Sequence, residues 1–127
     1  MMKKLFLLFS HTLTERQRKD AKESLGVGEF VVLPEELQRL WSNIPPHLQT
    51  LSAYLEPLKA YIRSSTCDGD VVLIQGDFGG CYEMINFVKS LGLEAVHATT
   101  TRDVVEKTVN GKVEKLSRFE HVIFRKY

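Results

Sequence analysis

Cysteine is scarce in this sequence of 127 residues, and Cys67 and Cys81 fit neither a disulfide framework nor a zinc site. We interpret both as free thiols, the usual state in the cytosol. The formal net charge is only +1, so the chain has no global basic field for duplex DNA or a membrane surface. No apolar run reaches transmembrane length, and the run at residues 5–9 is too short for a secretion signal. These absences predict a cytoplasmic protein that binds neither duplex DNA nor a membrane.

Apolar runs and helical patterns alternate along the chain, which is typical of an α/β domain. The run at residues 71–75 lacks the alternation of a one-sided strand, so we predict burial on both faces within a parallel sheet. Asn110-Gly111 between β-formers predicts a hairpin. We therefore predict a single three-layer α/β domain over residues 1–127, with a mainly parallel sheet and a C-terminal antiparallel hairpin. The expected strands are residues 4–9, 30–33, 71–75, 93–98 and 119–125.

Helix boundaries are marked by capping residues and prolines. Thr14 predicts the start of a helix that ends at Leu25-Gly26, and Pro34 predicts the first turn of a second helix. Apolar residues at helical spacing predict a third helix over residues 47–64, with Pro57 as a kink or a join. The fourth helix is expected over residues 82–91, with Gly92 as its C-terminal cap.

Glycine has an ordinary abundance, but three of the eight glycines lie in QGDFGG, residues 75–80, directly after the predicted third strand. Glycines there let a backbone approach a ligand closely, and a following helix N-terminus offers amides to phosphate. Gln75 and Phe78 suit a nucleobase, by hydrogen bonding and stacking respectively, while Asp77 suits a ribose hydroxyl or proton transfer. No Lys-Ser/Thr pair follows, so the stretch is not a P-loop. The alternative interpretation is a tight turn in which Gly79 and Gly80 only permit packing.

Two further polar segments follow predicted strands, where open α/β sheets bind ligands. Ser10 and His11 follow the first strand and suit phosphate binding and acid–base chemistry, or else a capping or exposed polar turn. Thr100, Thr101 and Arg102 lie in a predicted polar turn after the fourth strand and suit an anion. The alternative for this second segment is a helix-capping run with a solvated arginine.

The remaining polar and aromatic candidates carry weaker signals. Trp41-Ser42-Asn43 precedes two prolines and suits a lid or a stacking surface, with Asn43 as a ligand contact. The alternative makes Trp41 a core anchor. His97 and His121 lie in predicted strands and are expected to be structural. No histidines and acids have metal-ligand spacing, so we predict neither a metal nor a cofactor.

Taken together, these segments occur in an order that resembles a known family, the small CRISPR-associated Csx-type proteins related to CARF domains, which accompany type III CRISPR systems. The resemblance spans nearly the whole chain and implies a Rossmann-like, CARF-like fold, a homodimer, and a ligand on its two-fold axis. The matching pieces are KKLFLLFSHTLT, LPEELQRLWSNIPP, VVLIQGDFGGCYEMINFVKSLGL, HATTTRDVVE and FEHVIFRKY.

The resemblance implies a cyclic oligoadenylate ligand, with cyclic tetra-adenylate as the first choice, since a two-fold dimer suits a ring of even repeat. It implies a ring nuclease that ends type III signalling by metal-independent attack of a ribose 2′-hydroxyl, leaving a 2′,3′-cyclic phosphate. Position and chemistry make Ser10, His11 and Asp77 the catalytic candidates. The glycine-rich turn has no lysine, so a lysine would have to come from elsewhere or from a partner subunit. The ligand-binding candidates are Gln75, Gly76, Phe78, Gly79, Gly80, Thr100, Thr101, Arg102 and Asn43.

Two other functions suit the same residues. A binding module would sense or sequester the ring without cleaving it. A general α/β enzyme would bind a mononucleotide or a flavin.

Overall fold

The computed structural model describes residues 2–127 and has helices on both faces of one sheet. Met1, the first residue of the predicted domain, lies outside the described residues. The strands are Lys3–Leu8 (β1), Val27–Val32 (β2), Val71–Ile74 (β3), Glu94–Val109 (β4) and Lys112–Lys126 (β5). The helices are Glu15–Asp20 (α1), which continues as a π-helical turn over Ala21–Leu25, then Glu35–Ser42 (α2), Glu56–Ser65 (α3) and Phe78–Ser90 (α4).

The five strands have the spatial order β2-β1-β3-β4-β5. β1 pairs in parallel with β2 and β3, and β3 pairs in parallel with β4. β4 and β5 are antiparallel. The predicted α/β class, with a mainly parallel sheet and a C-terminal antiparallel hairpin, is therefore confirmed.

The apolar core lies on both faces of the central strands. One cluster packs α2, α3 and α4 on Phe6, Leu8, Val72 and Ile74, and the other packs the α1 region on the opposite face. All four residues of β3 are buried, as its unbroken apolar sequence predicts. Trp41 is 2% exposed and belongs to the first cluster, so it is a core anchor.

The capping and turn predictions are confirmed at three places. The side chain of Thr14 accepts from the Gln17 amide at 3.1 Å, and Gln17 Oε1 accepts from the Thr14 amide at 2.9 Å, forming a capping box. Gly26 ends the helical segment in the left-handed conformation, at φ +69°. Asn110 and Gly111 have φ values of 53° and 75°, which suit a tight two-residue hairpin.

Two predicted elements are wrong. Residues 99–102 are not a polar turn, because β4 continues through them and Thr100, Thr101 and Arg102 pair with residues of β5. Threonine favours strands, and pairing with β5 satisfies the backbone that a turn would expose. The helix predicted over residues 47–64 begins only at Glu56, where Pro57 lies in the first turn rather than at a kink.

The β4–β5 hairpin extends far beyond the rest of the sheet. A register shift between Ala98 and Thr100 marks where it leaves the domain. Every residue from 100 to 120 is exposed. We call residues 100–120 the arm.

Candidate functional site

The carboxyl ends of β1 and β3 lie side by side. Leu8 pairs with Ile74 in the ladder, and the Gln75 amide donates to the Leu8 carbonyl at 3.0 Å. Ser10 and the glycine-rich turn therefore follow neighbouring strands at one edge of the sheet. β2 lies on one side of β1 and β3 lies on the other. The strand order therefore reverses between β1 and β3, which makes this position a topological switch point. In open α/β sheets such a point forms a crevice that binds ligands.

Asp77 caps the helix that follows the glycine-rich turn. Its Oδ2 accepts from the Gly80 amide at 2.9 Å, and its carbonyl accepts from the Cys81 amide at 2.8 Å. α4 consequently begins at Phe78, four residues before the predicted start at Tyr82. The cap occupies the Gly80 amide, and the amides of Phe78 and Gly79 are the ones a phosphate could meet at this helix end.

Gly76 and Gly80 pack directly against α2 and the loop after it. A Cβ at Gly80 would lie 2.5 Å from Ile44 Cδ1 and 3.2 Å from the Trp41 ring. A Cβ at Gly76 would lie 3.2 Å from Trp41 Nε1. Close packing thus accounts for these two glycines whether or not a ligand binds at the turn. Gly79 is exposed, although a Cβ there would still lie 3.3 Å from Leu51 Cδ1.

Gln75 joins three elements at the edge of the sheet. Its Oε1 accepts from the Ala98 amide at 2.8 Å, which holds β4 beside the end of β3. Its carbonyl accepts from Trp41 Nε1 at 3.1 Å, which ties α2 to the same point. These two bonds leave the Gln75 side-chain amide nitrogen for a ligand.

Ser10 belongs to a chain of hydrogen-bonded polar side chains that continues into α2. Ser10 Oγ and Ser42 Oγ are 2.8 Å apart, and Gln38 Nε2 donates to Ser42 Oγ at 2.9 Å and to the Phe9 carbonyl at 3.1 Å. Because Gln38 occupies a lone pair of Ser42, the Ser42 hydroxyl is free to donate to Ser10. Ser10 can then donate its own proton to an anion in the crevice. Gln38 was not among the residues predicted from the sequence, although its spacing of four from Ser42 on one helix face was an available signal.

His11 and Asn43 lie near this polar chain. His11 is exposed, with its ring edge-to-face with Phe9 at 5.4 Å between centroids. Asn43 Nδ2 donates to the Arg39 carbonyl at 2.8 Å, which satisfies the end of α2 and leaves the Asn43 side-chain oxygen as an acceptor.

The third predicted segment is carried by the arm. Arg102 donates to Ser117 Oγ at 3.2 Å, and its guanidinium lies 5.9 Å from the centroid of the Phe119 ring. Thr100 lies opposite His121 in the ladder, and Thr101 lies opposite Glu120. The structure thus brings the first two predicted segments together and places these three residues at the root of the arm.

Two grooves flank the glycine-rich turn. The first has a volume of about 490 Å³ and lies between Asp77, Gly79 and Glu83 and the loop at residues 44–52. The second has a volume of about 430 Å³ and lies between α4 and the last residue of the chain. Both fall within the usual size range of small-molecule sites. Residues lining the second groove are Gln75, Gly76, Phe78, Cys81, Tyr82, Ile85, His97 and Tyr127.

Aromatic rings dominate the second groove, which we call the aromatic groove. Phe78 is 94% exposed and Tyr82 is 72% exposed, one helical turn apart on α4. On the opposite wall, His97 and Tyr127 have ring centroids 4.7 Å apart, and the Tyr127 hydroxyl donates to the Ile74 carbonyl at 2.6 Å. Tyr82 and Tyr127 were not among the site residues predicted from the sequence. Tyr82 had a signal, its spacing of four from Phe78, whereas Tyr127 reaches the groove only through the pairing of β5.

The environment of the aromatic groove favours neutral side chains. Burial lowers the pKa of His97, and the nearby Arg125 lowers it further. Burial raises the pKa of Cys81 and of Tyr127. A groove with neutral walls and flat rings suits an uncharged, planar group such as a nucleobase.

Within residues 2–127, no three side chains of the metal-binding types lie close enough to share an ion. The same residues contain no helix of the length and apolar character needed to span a bilayer.

The model of the Uncharacterized protein MJ1673 family matches residues 3–125. The chain belongs to the MJ1673 family. A relative within it, the uncharacterized protein MJ1673 of Methanocaldococcus jannaschii, is 46% identical over 126 residues, which cover 99% of this chain and 98% of the relative. No solved structure matches the chain. The matched residues include β1, the glycine-rich turn and most of β5, and they contain every lining residue of the aromatic groove except Tyr127.

Removing the cap of α4 should destabilise the protein modestly. We expect Asp77→Ala to lower the free energy of unfolding by about 1 kcal/mol, because the Gly80 amide loses its acceptor. Asp77→Ser is the matched control, since serine caps a helix nearly as well but carries no carboxylate. Urea unfolding of both variants measures the effect. Equal losses for alanine and serine would show that the cap is not the cause.

Stability should fall as the pH is lowered through the ordinary pKa of His97, 6.5. Because the folded state lowers the pKa of His97, the unfolded chain takes up a proton first and so gains stability as pH falls. Urea midpoints measured at about pH 8 and about pH 5.5 should therefore fall less in His97→Gln than in the wild type. His47→Gln, at an exposed loop position, is the control. The same pH dependence in His97→Gln and the wild type would contradict the prediction.

Proposed function

We propose that this chain is a cytoplasmic ring nuclease with a Rossmann-like, CARF-related domain. It acts as a homodimer on a cyclic oligoadenylate, with cyclic tetra-adenylate as the first choice, and it ends type III CRISPR signalling. One observation carries the proposal: Ser10 and His11 lie at the same edge of the sheet as the glycine-rich turn and its aromatic groove. A hydroxyl, an imidazole, free helix amides and stacking rings are the groups that a ribonucleotide ring requires.

In this proposal, the aromatic groove binds an adenine base of the ligand. Phe78 and Tyr82 present exposed rings on one wall, and His97 beside Tyr127 forms the other. Stacking of a base on an aromatic ring contributes about 1–3 kcal/mol. The free amide nitrogen of Gln75 lies beside this groove and can donate to a ring nitrogen of the base.

In this proposal, the crevice between β1 and β3 binds the phosphate, and cleavage takes place there. The ribose 2′-oxygen attacks the adjacent phosphorus, and the bond from phosphorus to the 5′-oxygen breaks. The 2′ proton passes to a base, and the departing 5′-oxygen receives a proton, which gives a 5′-hydroxyl and a 2′,3′-cyclic phosphate. The nucleophile is part of the substrate, so the protein has to supply position, hydrogen-bond donors and proton transfer.

We assign the proton transfer to His11 and the phosphate contact to Ser10. His11 is exposed at the crevice, and imidazole is the side chain most often used for proton transfer. Ser10 can donate to the phosphate because Ser42 supports it. Asp77 remains the second acid–base candidate, although one of its oxygens is already engaged by the Gly80 amide.

Incubation of the pure protein with labelled cyclic tetra-adenylate in the presence of EDTA tests the proposal. Linear products ending in a 2′,3′-cyclic phosphate are expected. Products that appear only when divalent metal is restored would contradict the metal-independent mechanism. An intact ring that neither binds nor is cleaved would overturn the proposal.

The alternative function is a sensor or sequestering module that binds the ring without cleaving it. Asp77 is the only acid in the glycine-rich turn, and its Oδ2 already accepts from the Gly80 amide. This engagement favours the alternative, because it leaves His11 as the main group for proton transfer. An intact ring that co-elutes with the dimer would support the module. Isolated protein that is yellow or carries a bound mononucleotide would instead favour a general α/β enzyme.

A further inference from the structure

A third cavity lies at the root of the arm, between the start of α1 and the β4–β5 hairpin. Its volume is about 430 Å³, within the usual size range of small-molecule sites. His121 lines it, and the neighbouring Phe124 belongs to the core cluster on the α1 face of the sheet. The aromatic groove lies on the opposite face, against α4. We call this separate cavity the arm-root hollow.

His121 is a buried imidazole with only one of its two nitrogens satisfied. The residue is 6% exposed, and its Nε2 lies 2.7 Å from Asp20 Oδ2. Its Nδ1 is buried and has no hydrogen-bond partner within residues 2–127. The large majority of buried polar side-chain atoms are paired with protein or ordered water. An orphaned nitrogen on a residue that lines a cavity therefore indicates a partner that the cavity receives.

Asp20 determines which kind of partner Nδ1 requires. An ionised carboxylate only accepts hydrogen bonds, so the proton of the neutral His121 ring is on Nε2. Nδ1 then carries a lone pair and acts as an acceptor. The missing partner is consequently an N–H or O–H donor.

Gln17 supplies the complementary group to the same hollow. It is 9% exposed, and its Oε1 accepts from the Thr14 amide at 2.9 Å in the capping box. This bond fixes the orientation of the side-chain amide, whose Nε2 makes no hydrogen bond to residues 2–127. Thr100, directly opposite His121 in the ladder, adds a hydroxyl to the lining. The hollow thus presents an acceptor and a donor from two buried side chains.

The remaining walls favour an uncharged, planar ligand. Arg16 and Glu120 both line the hollow and pair with each other at 3.5 Å, so their charges cancel. Both side chains are more than half exposed, and such surface pairs contribute little to stability, so this wall can open to admit a ligand. The ring of Phe119 is also part of the lining and is 67% exposed, which provides an apolar surface for a flat molecule.

We propose that the arm-root hollow is a second binding site, for an uncharged planar heterocycle with a ring N–H beside a carbonyl. This lactam group occurs in pyrimidine and purine bases, and uracil is the smallest natural example. The ligand N–H donates to His121 Nδ1, the ligand carbonyl accepts from Gln17 Nε2, and the ring packs on Phe119. The site is independent of the proposed function, because a chain that does not cleave cyclic oligoadenylate would still present it.

The protonation of His121 in the ligand-free protein is the first test. Long-range ¹H–¹⁵N NMR at about pH 8, where an imidazole is ordinarily neutral, should show the proton on Nε2 and a bare Nδ1. Comparison with His121→Gln identifies the resonances. A proton on Nδ1 would overturn the proposal, since the hollow would then present a second donor in place of the acceptor.

Titration with uracil and 1,3-dimethyluracil tests the ligand class. Uracil should shift the Nδ1 resonance of His121, with a dissociation constant in the millimolar range expected of so small a molecule. 1,3-Dimethyluracil keeps the ring and both carbonyls but has no N–H, so it should bind at least about tenfold more weakly. Equal binding of the two compounds, or no shift of His121 at millimolar uracil, would overturn the proposal. Shifts confined to His97 would place uracil in the aromatic groove and would also overturn it.

Gln17→Glu tests the donor without disturbing the helix cap. The carboxylate still accepts from the Thr14 amide, as in the usual capping box, but the donor Nε2 is lost. Uracil affinity should fall at least about tenfold, while the urea midpoint stays close to that of the wild type. Gln49→Glu makes the same change in an exposed loop and is the control. Unchanged uracil affinity in Gln17→Glu would contradict the lactam site.

Discussion

Trp41→Ala is expected to lower the free energy of unfolding by about 3–5 kcal/mol, the usual cost of deleting a buried large aromatic side chain. The indole is 2% exposed in the main core cluster. Its Nε1 donates to the Gln75 carbonyl at 3.1 Å, and Gly76 and Gly80 lie against its ring. The variant therefore leaves a cavity beneath the glycine-rich turn and an unpaired carbonyl at the end of β3.

Trp41→Phe is the matched control, because it keeps most of the ring volume and removes only the donor. It should cost about 1–3 kcal/mol less than the alanine variant. Far-UV circular dichroism in urea is the right measurement, since Trp41 is the only tryptophan and its replacement removes the fluorescence signal. A loss below about 1 kcal/mol for Trp41→Ala would show that the indole is not the anchor of this layer.

Under the proposed function, His11→Ala is expected to lower kcat for cleavage of the cyclic oligoadenylate by about 10²- to 10⁴-fold, the usual contribution of a positioned acid–base group. Binding of the ring should change little, because His11 lies outside the aromatic groove and beside the polar chain through Ser10. Single-turnover cleavage and equilibrium binding, measured separately, distinguish the two effects. His47→Ala is the control, as this histidine lies in an exposed loop.

Two other results would change the assignment. Unaltered cleavage by His11→Ala, together with a large loss in Asp77→Ser, would transfer the proton-moving role to Asp77. Lost binding in His11→Ala would instead make His11 a ligand contact.

The local features of the fold were predictable because each depends on a few adjacent residues. The capping box at Thr14, the left-handed Gly26 and the Asn110-Gly111 turn follow from backbone preferences that neighbours in sequence satisfy. The unbroken apolar run of β3 likewise predicted a central parallel strand. The role of Pro57 was harder to predict from the sequence. A proline breaks a helix when the preceding residues are helical and begins one when they are not, and Pro57 lies in the first turn of α3.

The sequence identified three candidate segments of the site, but it did not correctly predict how all three are placed relative to one another. Position after a strand selected Ser10, His11 and the glycine-rich turn, and parallel pairing does bring them to one edge. The same rule placed residues 99–102 in a turn, although β4 continues through them because β5 returns to pair with them. The Asp77 cap was also missed, since the glycines after it were interpreted as a loop rather than as the first turn of α4.

The sequence by itself determined the α/β class, the parallel centre of the sheet, the caps at Thr14 and Gly26 and the hairpin turn, because periodicity and backbone preference act over short distances. Only the tertiary structure decided that Gly76 and Gly80 pack on Trp41, that Tyr127 closes the aromatic groove, and that residues 100–120 form an exposed arm. Each of these depends on which distant strands pair and on what then remains uncovered, and no local pattern encodes that choice.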